Sequence, residues 1–152
     1  SRAAMAVVVS VTAFKESYGF DPRQRIELIR SGVSATRVND MADYLGRPRG
    51  YLLDILRIPP STAGRKIEKS EPLAPDQTER ILGLESLIGQ VQTMVEESGN
   101  PEGFDAARWV ADWIDRPLTA LGGEKPADYM DTREGQLLVS RLLSQMQSGA
   151  YA

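Results

Sequence analysis

Apolar residues recur every three or four positions through most of the chain after Asp21, which is the spacing of amphipathic α-helices. The longest such stretch covers residues 76–98, with apolar positions at Ile81, Leu84, Ile88, Val91 and Val95. No segment shows the alternation of apolar and polar residues that marks a half-buried strand. The pattern therefore predicts an all-α fold.

Residues that cap or break helices predict the boundaries. Asp21 followed by Pro22 predicts a helix start, and Gly32 predicts the end of that helix. Further helices are predicted over residues 34–46, 48–56, 61–69 and 76–98, around Trp109 and Trp113, and over residues 132–147. The last helix aligns three apolar residues: Leu138, Leu142 and Met146. The two tryptophans, four residues apart, are interpreted as a core pair.

The apolar stripe of residues 76–98 is close to a heptad repeat, and it has two interpretations. We favour a core helix that packs against its own chain. A helix–helix contact between two chains is the alternative. The apolar run over residues 3–14 is too short to span a bilayer, so the first twenty residues are predicted to form a tail or a short strand without membrane association.

The composition removes several classes of chemistry. The chain has no Cys and no His, which excludes thiol nucleophiles, imidazole bases, disulfides and Cys/His zinc sites. Carboxylates three residues apart, such as Asp112 with Asp115 and Asp128 with Asp131, are more typical of surface charge than of acid–base pairs. We predict no enzyme activity, no catalytic residue, no metal and no cofactor. The lack of Cys also favours a cytoplasmic location.

Charge is divided unevenly along the chain. Residues 1–70 hold 12 basic and 7 acidic residues, whereas residues 71–152 hold 6 basic and 14 acidic residues. A basic half suits a polyanion such as DNA, and an acidic half suits a protein with a positive surface. An uneven scatter of surface charge is the alternative interpretation.

Short helices joined by tight turns predict a helix-turn-helix, for which two pairings are possible. A reading helix at residues 48–56 would present mostly apolar groups, so we interpret that helix as core. A reading helix at residues 61–69 places five polar side chains within about 140° of arc, with Ala63 and Ile67 opposite. These candidate DNA-binding residues are Ser61, Thr62, Arg65, Lys66 and Lys69.

Arg65 suits a guanine edge, and the two lysines with the hydroxyls suit phosphates. A solvated basic face is the alternative. Operator DNA is therefore a predicted partner, and a homodimer is expected because paired half-sites supply affinity that one small helix lacks.

The connector before the last helix is strongly specified. Gly122 and Gly123 permit positive φ, and Pro126 pre-sets φ for a first helical turn. Asp131 and Glu134, three residues apart, predict the cap of the last helix. Taken alone, these residues predict a fixed corner between helices, which is more often architecture than a binding site.

Residues 107–152 resemble the C-terminal toxin-binding domain of Xre/MbcA/ParS-type antitoxins. The matching features are Trp109, Leu118, the run 121–123, Pro126, Gly135, Val139, Leu142, Leu143, Gly149, Tyr151 and Ala152. Residues 23–98 resemble the Xre-type helix-turn-helix part of that family, with "ILRIPPSTAGRKI" at its centre. The segment "WVADWIDRP" departs from the family's commoner Trp-Leu start, which leaves open which residues contact the toxin directly.

The resemblance implies a type II antitoxin that silences a cognate RES-domain toxin, a class that consumes NAD by degrading it or by ADP-ribosylation. In this family the C-terminal region lies over the NAD site of the toxin. Gly149, Tyr151 and Ala152 would then form a blocking tail. Trp109, Gly122, Gly123 and Pro126 would shape the domain that positions it.

The chain is thus expected to contain three parts. They are an N-terminal tail over residues 1–20, an Xre-like helix-turn-helix and dimerisation domain over residues 21–98, and a small helical toxin-binding domain over residues 99–152. The expected function is an antitoxin that also represses its own operon by binding DNA. A free-standing helix-turn-helix transcription regulator is the alternative.

Overall fold

The computed structural model describes residues 13–149 of the chain, and it is helical throughout. The α-helices are α1 (residues 13–19), α2 (Pro22–Ser31), α3 (Arg37–Leu45), α4 (Arg49–Leu56), α5 (Pro60–Glu68), α6 (Pro75–Glu97), α7 (Ala106–Trp113) and α8 (Arg133–Ser148). Two 3-10 helices, η1 (Thr119–Leu121) and η2 (Pro126–Tyr129), lie between α7 and α8. Across this part of the chain the extended pairing is limited to one isolated bridge between Ser34 and Pro72. The all-α prediction is confirmed.

The long helix α6 is the centre of the fold. It packs against α2 and α4 on the helix-turn-helix side, and against α7 and α8 on the C-terminal side. Four residues of its apolar stripe are almost completely buried in one continuous core: Ile81, Leu84, Ile88 and Val91. Val95 is only partly buried. The favoured interpretation of α6 as a core helix is confirmed, and most of the stripe is covered by other helices of the same chain.

The predicted N-terminal tail is wrong over residues 13–19, which form α1. Phe14 is buried and meets the Tyr44 ring edge-on, with centroids 5.5 Å apart and ring planes at 87°. Its backbone passes so close to Gly89 that a Cβ there would overlap the Phe14 carbonyl group. The sequence did not predict this helix, because the apolar run over residues 3–14 lacks polar residues at the spacing that marks an amphipathic helix. Residues 1–12 lie outside the described part of the chain.

Two predicted helix details are corrected by hydrogen bonding and burial. Helix α3 begins at Arg37 rather than at residue 34, because Ser34 pairs with Pro72 across the isolated bridge. Helix α8 is capped by Thr132, whose hydroxyl accepts the Gly135 amide at 3.0 Å, and not by Asp131. The buried face of α8 is also rotated from the predicted one, and consists of Gly135, Gln136, Val139, Leu142 and Leu143.

An ion pair with a buried carboxylate joins the helix-turn-helix half to α6. Arg37 of α3 reaches Glu85 of α6 through Nη2 at 2.7 Å and through Nε at 2.9 and 3.1 Å from the two carboxylate oxygens. The Glu85 side chain is 1% exposed, and this burial raises its pKa although Arg37 acts in the opposite direction. Buried charges need such partners, so the pair fixes how α3 sits on α6.

The structure contains no helix, among those described, that is long and apolar enough to cross a membrane. Residues 13–149 also contain no cluster of three or more acidic side chains placed to hold a metal ion.

Candidate functional site

The first helix of the helix-turn-helix pair, α4, is a core element. Four of its eight residues are buried: Leu52, Leu53, Ile55 and Leu56. Arg57 follows with φ 55° and closes α4 in a left-handed conformation, after which Pro59 and Pro60 start α5. The interpretation that residues 48–56 do not form the reading helix agrees with this burial.

The second helix, α5, presents its basic side to solvent. Ala63 is its one buried residue, and Ile67 packs partly against the core. Ser61, Arg65 and Lys69 are exposed, while Thr62 and Lys66 are half-buried. In residues 13–149 no carboxylate lies within ion-pair distance of the three basic side chains. Three of the five predicted DNA-binding residues are thus open to solvent, and one of these, Lys69, lies directly after the last residue of α5.

Arg80 of α6 braces the turn between α4 and α5. Its Nη1 donates to the carbonyl oxygens of Leu56 at 2.6 Å and Arg57 at 3.1 Å, which are carbonyls at the end of α4. The carboxylate of Asp76, one turn earlier on α6, makes an ion pair with Arg80 Nη2. These bonds orient the α4 end from outside the motif. Sequence reasoning missed Arg80; the i,i+4 spacing of Asp76 and Arg80 was the available signal.

Polar contacts join the helix-turn-helix half to α7. Arg47 makes an ion pair with Asp112 at 2.6 Å, and its guanidinium lies over the Tyr51 ring at 5.9 Å from the centroid. The Tyr51 hydroxyl donates to Asp115 at 2.7 Å. Burial, aided by this hydrogen bond to Asp115, raises the pKa of Tyr51. The carboxylates considered as an acid–base pair are thus each bound to a partner in the other half.

The tryptophan pair belongs to the core on one side only. Trp113 is buried, and Trp109 stacks on it with centroids 5.7 Å apart and ring planes at 14°. Trp109 itself is partly exposed and forms a wall of an apolar groove together with Leu143 and Met146 of α8. The prediction of a core pair therefore holds for Trp113 and only partly for Trp109.

The corner before α8, residues 122–126, has the backbone conformation that its glycines and proline predicted. Gly122 and Gly123 have φ of 64° and 88°, and the Gly123 amide donates to Leu118 O at 2.9 Å. Pro126 is buried at the first position of η2. The next amide, of Ala127, donates to Ile114 O at 2.9 Å, which ties the corner to the end of α7. The glycines thus close the turn, and the proline starts the short helix behind it.

The predicted toxin-binding residues fall at opposite ends of α8. Gly122, Gly123 and Pro126 lie in the corner before its first turn, whereas Trp109 faces its last turns. Sixteen residues make α8 roughly 24 Å long. Gly149 ends α8 in a left-handed conformation, with φ 74°. Tyr151 and Ala152 lie outside the described residues. The structure thus assembles two separate groups, not one cluster.

Comparison with known proteins matches both halves of the chain. A family model described as the antitoxin Xre-like helix-turn-helix domain matches residues 24–85. A second, described as the antitoxin Xre/MbcA/ParS C-terminal toxin-binding domain, matches residues 102–149. The "Prs ADP-ribosylating antitoxin" of Sphingobium sp. (strain YBL2) is 43% identical over 140 residues, which cover 92% of this chain and 88% of the relative. The chain belongs to the Xre/MbcA/ParS antitoxin family.

The two family matches divide the antitoxin at α6. The helix-turn-helix match covers nearly all of α2, then α3 to α5 and the first half of α6, while the toxin-binding match covers α7, the corner and α8 as far as Gly149. The predicted domain boundary at residue 98 falls in the interval between the two matches. Because α6 packs against both halves, it is the element through which they are held together.

Proposed function

We propose that this antitoxin silences a RES-domain toxin that consumes NAD, and that it represses its own operon as a DNA-bound homodimer. The observation that carries the proposal is the match of residues 102–149 to a toxin-binding domain, on the same chain as a helix-turn-helix. The resemblance of residues 107–152 to antitoxins of RES-domain toxins supplies the class of the partner.

The relative's name supports a reaction that uses NAD. That name contains both the word antitoxin and the word ADP-ribosylating. ADP-ribosylation transfers the ADP-ribose part of NAD to an acceptor and releases nicotinamide. We extend this to the toxin of the present chain, and so prefer ADP-ribosylation over simple degradation of NAD. The acidic excess of residues 71–152 suits a toxin pocket that holds the negatively charged pyrophosphate of NAD, because such a pocket must be positive.

Neutralisation is assigned to the C-terminal end of the molecule. In this proposal Gly149, Tyr151 and Ala152 enter the toxin's NAD site, while Trp109 and the Gly122–Gly123–Pro126 corner hold α8 in position. The left-handed Gly149 supports the assignment, because it releases the chain from the axis of α8 at the point where the tail begins.

DNA binding is assigned to α5. Arg65 and Lys66 of α5, and Lys69 directly after it, have no ion-pair partner within residues 13–149, and they favour phosphates and a guanine edge. Ser61 and Thr62 lie at the helix start, where amide groups also attract phosphate. The brace from Arg80 supports this assignment, since a reading helix needs a fixed angle to the helix before it.

The proposal is tested by inducing the product of the adjacent gene with the intact antitoxin, without it, and with a form that lacks residues 147–152. Cellular NAD and ADP-ribosylated protein are measured in each case. We expect ADP-ribosylation and a fall in NAD without the antitoxin, protection by the intact chain, and poor protection by the shortened one. Equal protection by the shortened chain would contradict the blocking tail. No toxicity at all would favour a free-standing regulator.

The DNA part is tested by replacing Arg65 and Lys66 with Ala. Binding to the operon's own promoter should weaken, and the slope of log affinity against log salt should flatten by roughly 1 to 2, because phosphate contacts release counterions. Arg23→Ala, an exposed arginine of α2, is the matched control. Undiminished binding by the double variant would exclude α5 as the reading helix.

A further inference from the structure

A small polar pocket lies between α1, the middle of α6 and the first half of α8. Its volume is about 170 Å³, and we name it the Arg133 pocket after the one charged residue of its lining. None of the residues assigned above to DNA or to the toxin lines it. Its lining contains no carboxylate, although the second half of the chain is acidic overall. The pocket therefore presents a positive charge that its own walls do not neutralise.

The Arg133 pocket contains two kinds of polar side chain. Three of them are already engaged in hydrogen bonds between α6 and α8, namely Gln90, Gln136 and Ser140. Within the described part of the chain, no hydrogen bond or ion pair engages the other three, which are Tyr18, Ser86 and Arg133. Two of these are hydroxyls and one is a guanidinium, so each can donate a hydrogen bond. The uncommitted groups of the pocket thus suit an acceptor that carries negative charge.

A second arginine stands beside Arg133. Arg25 of α2 is half-buried, and its Nε and Nη2 are buried without a hydrogen-bond partner. Burial lowers the pKa of Arg25, and the charge of Arg133 lowers it further, so the two guanidiniums are close enough to repel each other. Glu79 and Glu85 act in the opposite direction, but among residues 13–149 neither makes an ion pair with Arg25. Buried donors without an acceptor are costly, and an anion between the two arginines would supply one.

We propose that Arg25 and Arg133 together bind a phosphate group, with the hydroxyls of Tyr18 and Ser86 as further donors. Arginine recognises oxyanions through paired N–H groups. Phosphate is favoured over a carboxylate because the four donors come from four helices, α1, α2, α6 and α8, and so approach from different directions. Such an arrangement suits a tetrahedral anion better than a planar one. A phosphate monoester also carries about 1.5 to 2 negative charges at pH 7, which matches two arginines.

A phosphate bound there would connect the two halves of the antitoxin. Arg25 lies within the stretch that matches the helix-turn-helix domain, whereas Arg133 lies within the stretch that matches the toxin-binding domain. The anion replaces the repulsion between their guanidiniums with an attraction of both to one ligand. The site therefore stabilises the packing of α2 and α8 on α6. The phosphate has two sources, free phosphate in solution and the DNA backbone, which the experiment below separates.

The test is thermal unfolding of the full-length antitoxin in increasing inorganic phosphate, with sodium chloride used to hold the ionic strength constant. A ligand that binds the folded chain raises Tm as its concentration exceeds Kd. Arg133→Ala should weaken the apparent affinity for phosphate by about tenfold or more, because a charged hydrogen-bond donor is lost. Arg25→Ala should weaken it similarly. Arg141→Ala, which removes an exposed arginine from the same helix, is the matched control and should respond to phosphate as the intact chain does.

Three results would overturn the proposal. The first is no rise in Tm beyond that of sodium chloride at equal ionic strength. The second is an equal rise in the intact and Arg133→Ala chains, which would place any phosphate elsewhere. The third is an equal rise with acetate, which would assign the pocket to carboxylates.

Promoter binding then separates the two sources of the phosphate. If free phosphate is the ligand, Arg133→Ala and the intact chain should bind the promoter equally well. If a DNA phosphate occupies the pocket, Arg133→Ala should bind more weakly, and its slope of log affinity against log salt should flatten by roughly 1. Either result keeps the phosphate assignment, because the rise in Tm with inorganic phosphate does not depend on DNA binding by α5.

Discussion

The two sides of α6 are held by different chemistry. On the helix-turn-helix side, Glu85 is buried against the guanidinium of Arg37. On the C-terminal side, the Gln90 amide donates to Ser140 O at 3.0 Å and to Ser144 Oγ at 3.2 Å, and the Ser140 hydroxyl donates back to Gln90 Oε1 at 2.7 Å. The first link depends on two charges, whereas the second is neutral.

This difference separates the halves in their response to pH and to substitution. A buried carboxylate that loses its counter-charge retains the cost of desolvation, whereas a broken neutral network leaves only unpaired dipoles. The helix-turn-helix half is therefore attached through the more vulnerable link. The toxin-binding half is attached through one that should not change between acidic and neutral pH.

The largest effect is expected for Arg37→Ala. Loss of the partner of Glu85 should lower the free energy of unfolding by about 3 kcal/mol at pH 7, at the lower end of the range for buried pairs because Arg37 is itself one-third exposed. Urea denaturation measures it, with Arg23→Ala as the control. A combined Arg37→Met and Glu85→Leu variant should recover most of the loss, because no charge then stays buried.

The loss in free energy of unfolding caused by Arg37→Ala should become smaller as the pH falls. Burial raises the pKa of Glu85 above its unfolded value of about 4.3, so the folded chain binds this proton more tightly than the unfolded chain does. Stability from this group therefore increases as the pH falls through the raised folded pKa. Removing Arg37 raises the pKa of Glu85 further. Between pH 7 and pH 5, the free energy of unfolding should therefore increase more in the variant than in the intact chain. An equal deficit at both pH values would contradict a buried ionised Glu85.

These links also mark the limit of what the sequence could predict. The helices α2 to α8 follow from periodicity and caps. The buried Ala63 and the exposed Arg65 of α5 follow from their positions on opposite sides of that helix. The partners Arg37 and Glu85 are 48 residues apart, and Tyr51 and Asp115 are 64 apart. Neither pairing has a local signal, because it depends on how whole helices pack. The cap of α8 was missed by one position because Asp131 and Thr132 are both competent caps.

Gln90→Ala should have the next largest effect. It removes three hydrogen bonds from a side chain that is 2% exposed, and should lower the free energy of unfolding by about 2 kcal/mol. No charge is involved, so the loss should be the same at pH 5 and pH 7. Gln145→Ala, an exposed position of α8, is the control for an effect on helix propensity. A strongly pH-dependent loss would show that the two sides of α6 are not independent.

Arg80→Ala should affect DNA binding more than folding. The variant loses the donor to the Leu56 and Arg57 carbonyls, which should lower stability by about 1 kcal/mol. Because those carbonyls fix the turn before α5, promoter affinity should fall several-fold while its salt slope stays as in the intact chain. Arg80→Lys, which keeps the charge but not the forked donor, should resemble Arg80→Ala. A flattened salt slope would instead indicate that Arg80 contacts DNA phosphate.

The smallest effect is expected for Tyr51→Phe. The variant loses one hydrogen bond to Asp115 between the two halves, which should lower the free energy of unfolding by roughly 0.5 to 1 kcal/mol. It also tests the electrostatics of this contact. Burial and Asp115 raise the pKa of Tyr51, so its phenol should stay protonated near pH 10, where an ordinary tyrosine is half ionised. Absorbance titrations of the intact and variant chains at 295 nm should therefore coincide up to that pH. A deficit of one ionising tyrosine in the variant at pH 10 would mean that Tyr51 is open to water, and that the halves are not closed against each other there.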